Sequence, residues 1–163
     1  MNQVQPSATP QAAGQWKPEV IVFCCNYCAY AAADLAGARR MQYPPNVRVI
    51  HVPCTGKIAL EHILASFEKG IDGVLVAGCL EGGCHFLEGN LRARRRTDHL
   101  RDMLDEIGVG RERLRMVNLS AAMAPTFVQR VNEIVQTIEG LGPNPLKAHG
   151  APETTQAQKV GVP

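Results

Sequence analysis

A chain of 163 residues carrying 17 basic and 15 acidic side chains, a net charge of +2, has room for one domain with a real core. So even a balance gives no reason to expect nucleic acid or a membrane surface as partner, and no apolar run approaches the roughly 20 residues that span a bilayer. Met1–Lys17 lacks the charged start and apolar core of a secretory signal, so a reducing cytoplasm is the expected setting. There, six cysteines read as metal ligands or redox groups; a secreted chain with three disulfides is the alternative.

Residues 1–17, rich in Gln, Pro, Ala and Ser and without periodicity, read as a disordered N-terminal arm. A first strand is predicted at about 19–24, followed by an Ala-rich helix from about 28 to 41 that Tyr43-Pro44-Pro45-Asn46 turns away. A second strand, about 47–53, leads into a helix whose Leu60, Ile63, Leu64 and Phe67 form one buried stripe. After Asp72-Gly73 comes a third strand ending at Gly78. A long charged helix follows over roughly 89–107, with Leu100, Met103, Leu104 and Ile107 as its stripe and Gly108 as its stop. A fourth strand at about 114–119 precedes a last helix with Phe127, Val131, Ile134, Val135 and Ile138, closed by Gly140. From 143 to 163 the chain reads as a disordered or partner-bound tail. This alternation predicts one doubly wound α/β domain over 18–142: a four-stranded parallel sheet in the flavodoxin-like order 2-1-3-4, with helices on both faces.

Five cysteines fall where strands hand over to loops. Cys25-Asn-Tyr-Cys28 follows the first strand, Cys54 the second, and Cys79 and Cys84 the third. Carboxyl ends of parallel strands share one side of the sheet, so these thiols are expected to converge. Two cysteine pairs from neighbouring loops supply four thiolates, which suits a [2Fe–2S] cluster or a tetrahedral zinc. A C-x-x-C at a helix start also suits a metal-free dithiol oxidoreductase working through Cys25 and Cys28. Glu81-Gly82-Gly83 is expected to wrap tightly and aim amides at the sulfurs. Alternation sets Cys24 on the opposite face from Cys25, as a buried apolar thiol.

Other residues carry less. His85, next to Cys84, is expected to support the site from behind the ligands, and His51 to pack inside its strand. Arg92, Arg94, Arg95 and Arg96 lack interleaved aromatics and share their helix with acidic residues, so they read as a docking patch for an acidic partner. No Ser/His/Asp spacing or isolated carboxylate pair suggests independent catalysis.

In these residues the chain resembles the delta subunit of methyl-viologen-reducing (F420-non-reducing) hydrogenase. The resemblance runs through Phe23-Cys-Cys-Asn-Tyr-Cys-Ala-Tyr30, Ala33-Asp-Leu-Ala-Gly37, Arg40–Arg48, Gly73-Val-Leu-Val-Ala-Gly-Cys79, Gly83-Cys-His85, Gly89-Asn90, Arg95-Arg96 and Glu112-Arg-Leu-Arg115, covering roughly 19–142. It implies a small [2Fe–2S] electron-transfer subunit that links a hydrogenase or formate dehydrogenase to the flavin-containing component of heterodisulfide reductase, where electrons are bifurcated. The family cysteines fall on Cys25, Cys28, Cys54, Cys79 and Cys84. Four ligands are needed, and Cys54 is expected as the spare. Two stretches depart from the family pattern. Leu80-Glu-Gly-Gly83, where the family has His and Gly-Asp, implies an altered cluster potential, and Ser120-Ala-Ala-Met-Ala-Pro125, lacking an acidic glycine turn, implies altered partner contacts.

Overall fold

The protein's structure, a computed structural model, describes residues 16–149. The arm expected over 1–17 lies outside the described residues up to position 15, as does the tail from 150 onward. Strands β1 (Val20–Cys25), β2 (Val47–Val52), β3 (Gly73–Cys79) and β4 (Leu114–Leu119) alternate with helices α1 (Ala29–Ala38), α2 (Leu60–Glu68), α3 (Gly89–Glu106) and α4 (Ala124–Leu141). The sheet has the order β2-β1-β3-β4, with every neighbouring pair parallel. This is the α/β architecture and strand order expected from the alternation.

Period-two alternation in the central strands divides the core into two layers. Val20, Val22 and Cys24 of β1 and Leu75 and Ala77 of β3 pack with α1 and α4; Phe23, Val74 and Val76 pack with α2 and α3. β3 is buried along its whole length, as befits a central strand covered on both faces. Each fully buried Leu, Ile or Val adds about 1.5–3 kcal/mol, which makes these two layers the main source of stability. In α1, Ala29, Ala32 and Ala36 are fully buried, small enough to let the helix lie against the sheet.

Three local expectations change. α1 ends at Ala38, ahead of the prolines, because Arg40 adopts a φ of 53° and the chain closes with Arg40 N–H to Gly37 O and Met41 N–H to Ala36 O, the pairing of a Schellman motif. α3 buries Ala93, Thr97, Leu100 and Leu104, while Met103 and Ile107 of the expected stripe are exposed. Leu100 and Leu104 define the inward line, and Met103 and Ile107 lie to one side of it. α4 continues through Gly140 to Leu141, and Gly142 after it carries the positive φ of 80° that the stop requires.

Beyond α4 the chain stays on the body. Asn144 is buried and donates through Nδ2 to Phe67 O and Ile71 O, both at 2.8 Å. Lys147 Nζ meets Asp72 Oδ2 at 2.7 Å, and a short 3-10 helix spans Pro145–His149.

Candidate metal centre

The register brings the strand ends level: Cys25 pairs with Val52 of β2, and Cys79 with Leu119 of β4. Just past these ends, Cys28 caps α1, Cys54 opens a 3-10 turn after β2, and Cys84 lies in the loop between β3 and α3. The sulfurs of Cys25, Cys28 and Cys79 all lie within 4.8 Å of one another, and Cys25 Sγ is 3.5 Å from Cys79 Sγ. Cys84 adjoins Cys79, and Cys54 adjoins Cys84. The five thiols expected at the rim therefore form one continuous sulfur group drawn from three strand ends. All six cysteines are free in the structure, none of them joined in a disulfide. Cys24 faces the α1/α4 layer with no exposed surface, where burial, with Cys25 alongside, pushes its thiol up to about 12.

The sulfurs do not share one electrostatic setting. Burial is the leading influence on Cys28, Cys54 and Cys79 and raises all three. Burial also pushes Cys84 upward, but amides of Asn90, Phe86 and Gly89 outweigh it and hold that thiol below its ordinary value. These donors lie at and just before the N-terminus of α3, where unsatisfied N–H groups favour negative charge. Elsewhere the Ala29 N–H approaches Cys25 Sγ at 3.5 Å, the Gly56 N–H approaches Cys54 Sγ at 3.4 Å, and His85 supplies its amide to Cys79. The amides on Cys84 thus come from after it, rather than from Gly82 and Gly83. Those glycines serve the turn: Gly82 has a φ of 76° and Gly83 N–H bonds to Leu80 O.

Behind the sulfurs lies a layer to which the sequence assigned no role, although Gly89-Asn90 is one of the family-like stretches. Asn90 is buried and donates both Nδ2 hydrogens, to Cys79 O at 3.1 Å and Leu80 O at 2.9 Å; Asn118 of β4 donates to Cys79 O as well. The signal for Asn90 is an amide side chain beside Gly89 at a helix start, where orphan groups need partners. Gly56 and Gly89 touch backbone to backbone: a Cβ on Gly56 would meet Gly89 Cα at 2.7 Å. This contact seats the Cys54 loop on the start of α3.

The remaining predicted residues separate into different roles. His85 turns its ring outward and stacks on Tyr27, with centroids 3.8 Å apart, so only its backbone reaches the site. His51 does not pack inside the sheet: β2 is an edge strand, and the exposed His51 ring lies against Tyr30 with Nε2 2.7 Å from Asn26 Oδ1. The arginine stretch is divided by the helix. Arg96 donates to Ile58 O at 3.0 Å and to Gly56 O, while Arg94 pairs with Asn118 and with Glu81 at 3.5 Å. Only Arg92 and Arg95 face solvent, and Arg92 lies 3.6 Å from Glu88.

The donor set fits an iron–sulfur or zinc site: soft sulfurs, several backbone amides, and no carboxylate among them. Fold and site together define a small parallel α/β protein with a group of cysteine sulfurs at its strand ends, suited to a metal or iron–sulfur centre. Residues 20–142 match the family model described as "Methyl-viologen-reducing hydrogenase, delta subunit", and the chain belongs to that family. It is 49% identical over 131 residues to the iron-sulfur subunit of the F420-non-reducing hydrogenase vhu from Methanocaldococcus jannaschii, covering 80% of this chain and 98% of that one. The iron-sulfur subunit of the F420-non-reducing hydrogenase from Archaeoglobus profundus is 42% identical over 129 residues, 79% of this chain and 94% of its own. A third relative is larger. It is a component of the Ferredoxin/F(420)H(2)-dependent CoB-CoM heterodisulfide reductase of Methanosarcina acetivorans, and it matches at 43% identity over 126 residues, 77% of this chain but 16% of its own length.

Proposed function

We propose that this chain is a cytoplasmic electron-relay subunit that holds a [2Fe–2S] cluster on Cys25, Cys28, Cys79 and Cys84, with Cys54 as a neighbouring fifth thiol. It passes electrons between a hydrogenase or formate dehydrogenase and the flavin subunit of a heterodisulfide-reductase-like bifurcating complex. The observation that carries this reading is the convergence of five cysteine sulfurs from three strand ends. The relatives add to it: some are named iron-sulfur subunits of a hydrogenase, and others contain this domain within a longer chain of a heterodisulfide reductase. Among the described residues no helix is long and apolar enough to cross a membrane.

When bound, the cluster supplies reversible one-electron chemistry. The chain's own part is positioning. Asn90 and Asn118 fix the carbonyl of Cys79, the α3 amides stabilise charge on Cys84, and the Gly56–Gly89 contact closes the far side.

Anaerobic purification followed by iron, sulfide and zinc analysis, with EPR of the reduced protein, tests the proposal. A coloured protein with iron and acid-labile sulfide in equal amounts and a reduced-state signal is expected. A colourless zinc protein would establish a redox-silent, zinc-stapled module instead, and a metal-free protein cycling at Cys25 and Cys28 would establish the dithiol reading.

A further inference from the structure

The loop that carries Cys84 also presents an uncovered apolar face. Tyr27 stacks on His85, and Phe86 meets both rings edge-on, at 6.0 and 5.2 Å between centroids. Beside them Leu87 is 84% exposed, and it holds a φ of 61°, the left-handed region a branched aliphatic residue ordinarily avoids. The strain is locked in by the site itself: Leu87 N–H donates to Cys84 O at 2.9 Å, while the Phe86 amide serves the Cys84 sulfur. A backbone held in strain so as to push a leucine into water suggests a binding role.

The rim of this face carries more basic than acidic charge, with Glu88 beside Leu87 and 3.6 Å from Arg92. Phe86, Lys57 and Arg92 line a hollow of about 160 Å³ that also reaches Cys54, and the exposed Arg95 lies one turn along α3 from Arg92. We propose that this face docks a redox protein whose surface offers an apolar pocket for Leu87, ringed by carboxylates opposite Lys57, Arg92 and Arg95. The inference rests on the electron-relay reading, since a partner seated here comes up against the Cys54 and Cys84 side of the sulfur group. Charge complementarity selects an acidic-rimmed protein over a second copy of this chain, whose same face would bring basic rim against basic rim.

The test measures binding of the full-length, anaerobically prepared protein to the purified heterodisulfide reductase A-like flavoprotein of the same organism, by interferometry at low and moderate salt. Leu87→Gly suits the positive φ and deletes only the side chain, with Leu87→Ala as a second variant. Both are expected to weaken binding at least about tenfold. Arg92→Glu with Arg95→Glu should weaken it further, most strongly at low salt. Binding of the Leu87 variants equal to wild type, or no binding of the flavoprotein by wild type, overturns the proposal. So does sedimentation showing that Leu87 instead controls self-association. Metal content is measured on the same samples, so failure of the docking face and failure of the cluster reading are told apart.

Discussion

Gly89 leaves no room for a side chain against Cys54: a Cβ there would overlap the Cys54 sulfur and would lie 3.3 Å from the Cys84 sulfur. The start of α3 is therefore part of the wall of the sulfur group. Gly89→Ala is expected to push the Cys54 loop away, cost roughly 1–3 kcal/mol by overpacking, and lower the iron bound per chain. Thermal unfolding and iron analysis check it together. Unchanged iron and an unchanged midpoint would mean the loop yields freely, and that the close approach has no structural role.

Single Cys→Ser changes at all six positions assign the ligands. Replacement of Cys25, Cys28, Cys79 or Cys84 is expected to shift or abolish the cluster spectrum, and Cys54→Ser to leave it in place. Cys24→Ser should keep the spectrum but lose roughly 1–3 kcal/mol, because its hydroxyl enters an apolar layer with no exposed surface. Loss of the cluster in Cys54→Ser with retention in Cys28→Ser would reverse the assignment.

Neighbouring arginines should behave oppositely. Arg96 bonds to Ile58 O and Gly56 O, so Arg96→Ala strips two carbonyls of the Cys54 loop of their donor, at a cost of roughly 1–3 kcal/mol and with weaker cluster retention. Arg95 is exposed, and Arg95→Glu should leave both midpoint and spectrum within error. If the two variants prove alike in thermal scans, the division of the stretch into an inward and an outward half is wrong.

Truncation after Gly142 is expected to destabilise the domain without touching the metal centre. Asp72 has no exposed surface, and its carboxylate accepts from Lys147 Nζ at 2.7 Å, from Glu19 N–H at 2.8 Å and from Asn144 N–H at 2.8 Å. Loss of Lys147 and Asn144 leaves that buried carboxylate with the Glu19 N–H and the nearby Arg113 charge, costing roughly 3 kcal/mol. For a domain of this size that corresponds to a fall of the order of 10 °C in Tm. A full cluster spectrum with a lowered midpoint is the expected pair of results; an unchanged midpoint would show that this ion pair contributes nothing.

Periodicity, turn chemistry and the position of cysteines after apolar runs determined much of this protein without coordinates. Four strands and four helices follow from them, as does the order 2-1-3-4, because right-handed crossovers leave few alternatives. So does the meeting of Cys25, Cys28, Cys54, Cys79 and Cys84, since parallel strands send their carboxyl ends to one side. Tertiary structure alone decided what surrounds the sulfurs. Whether Arg96 faces inward or outward depends on which line of α3 lies on the sheet, and a one-residue rotation of about 100° decides it. That the exposed His51 ring lies against Tyr30 and Asn26 shows only once the β1 loop and α1 are in place, and Gly89 looks like a helix start until the Cys54 loop is seen resting on it. These depend on contacts between segments far apart in the chain, for which local pattern carries no record.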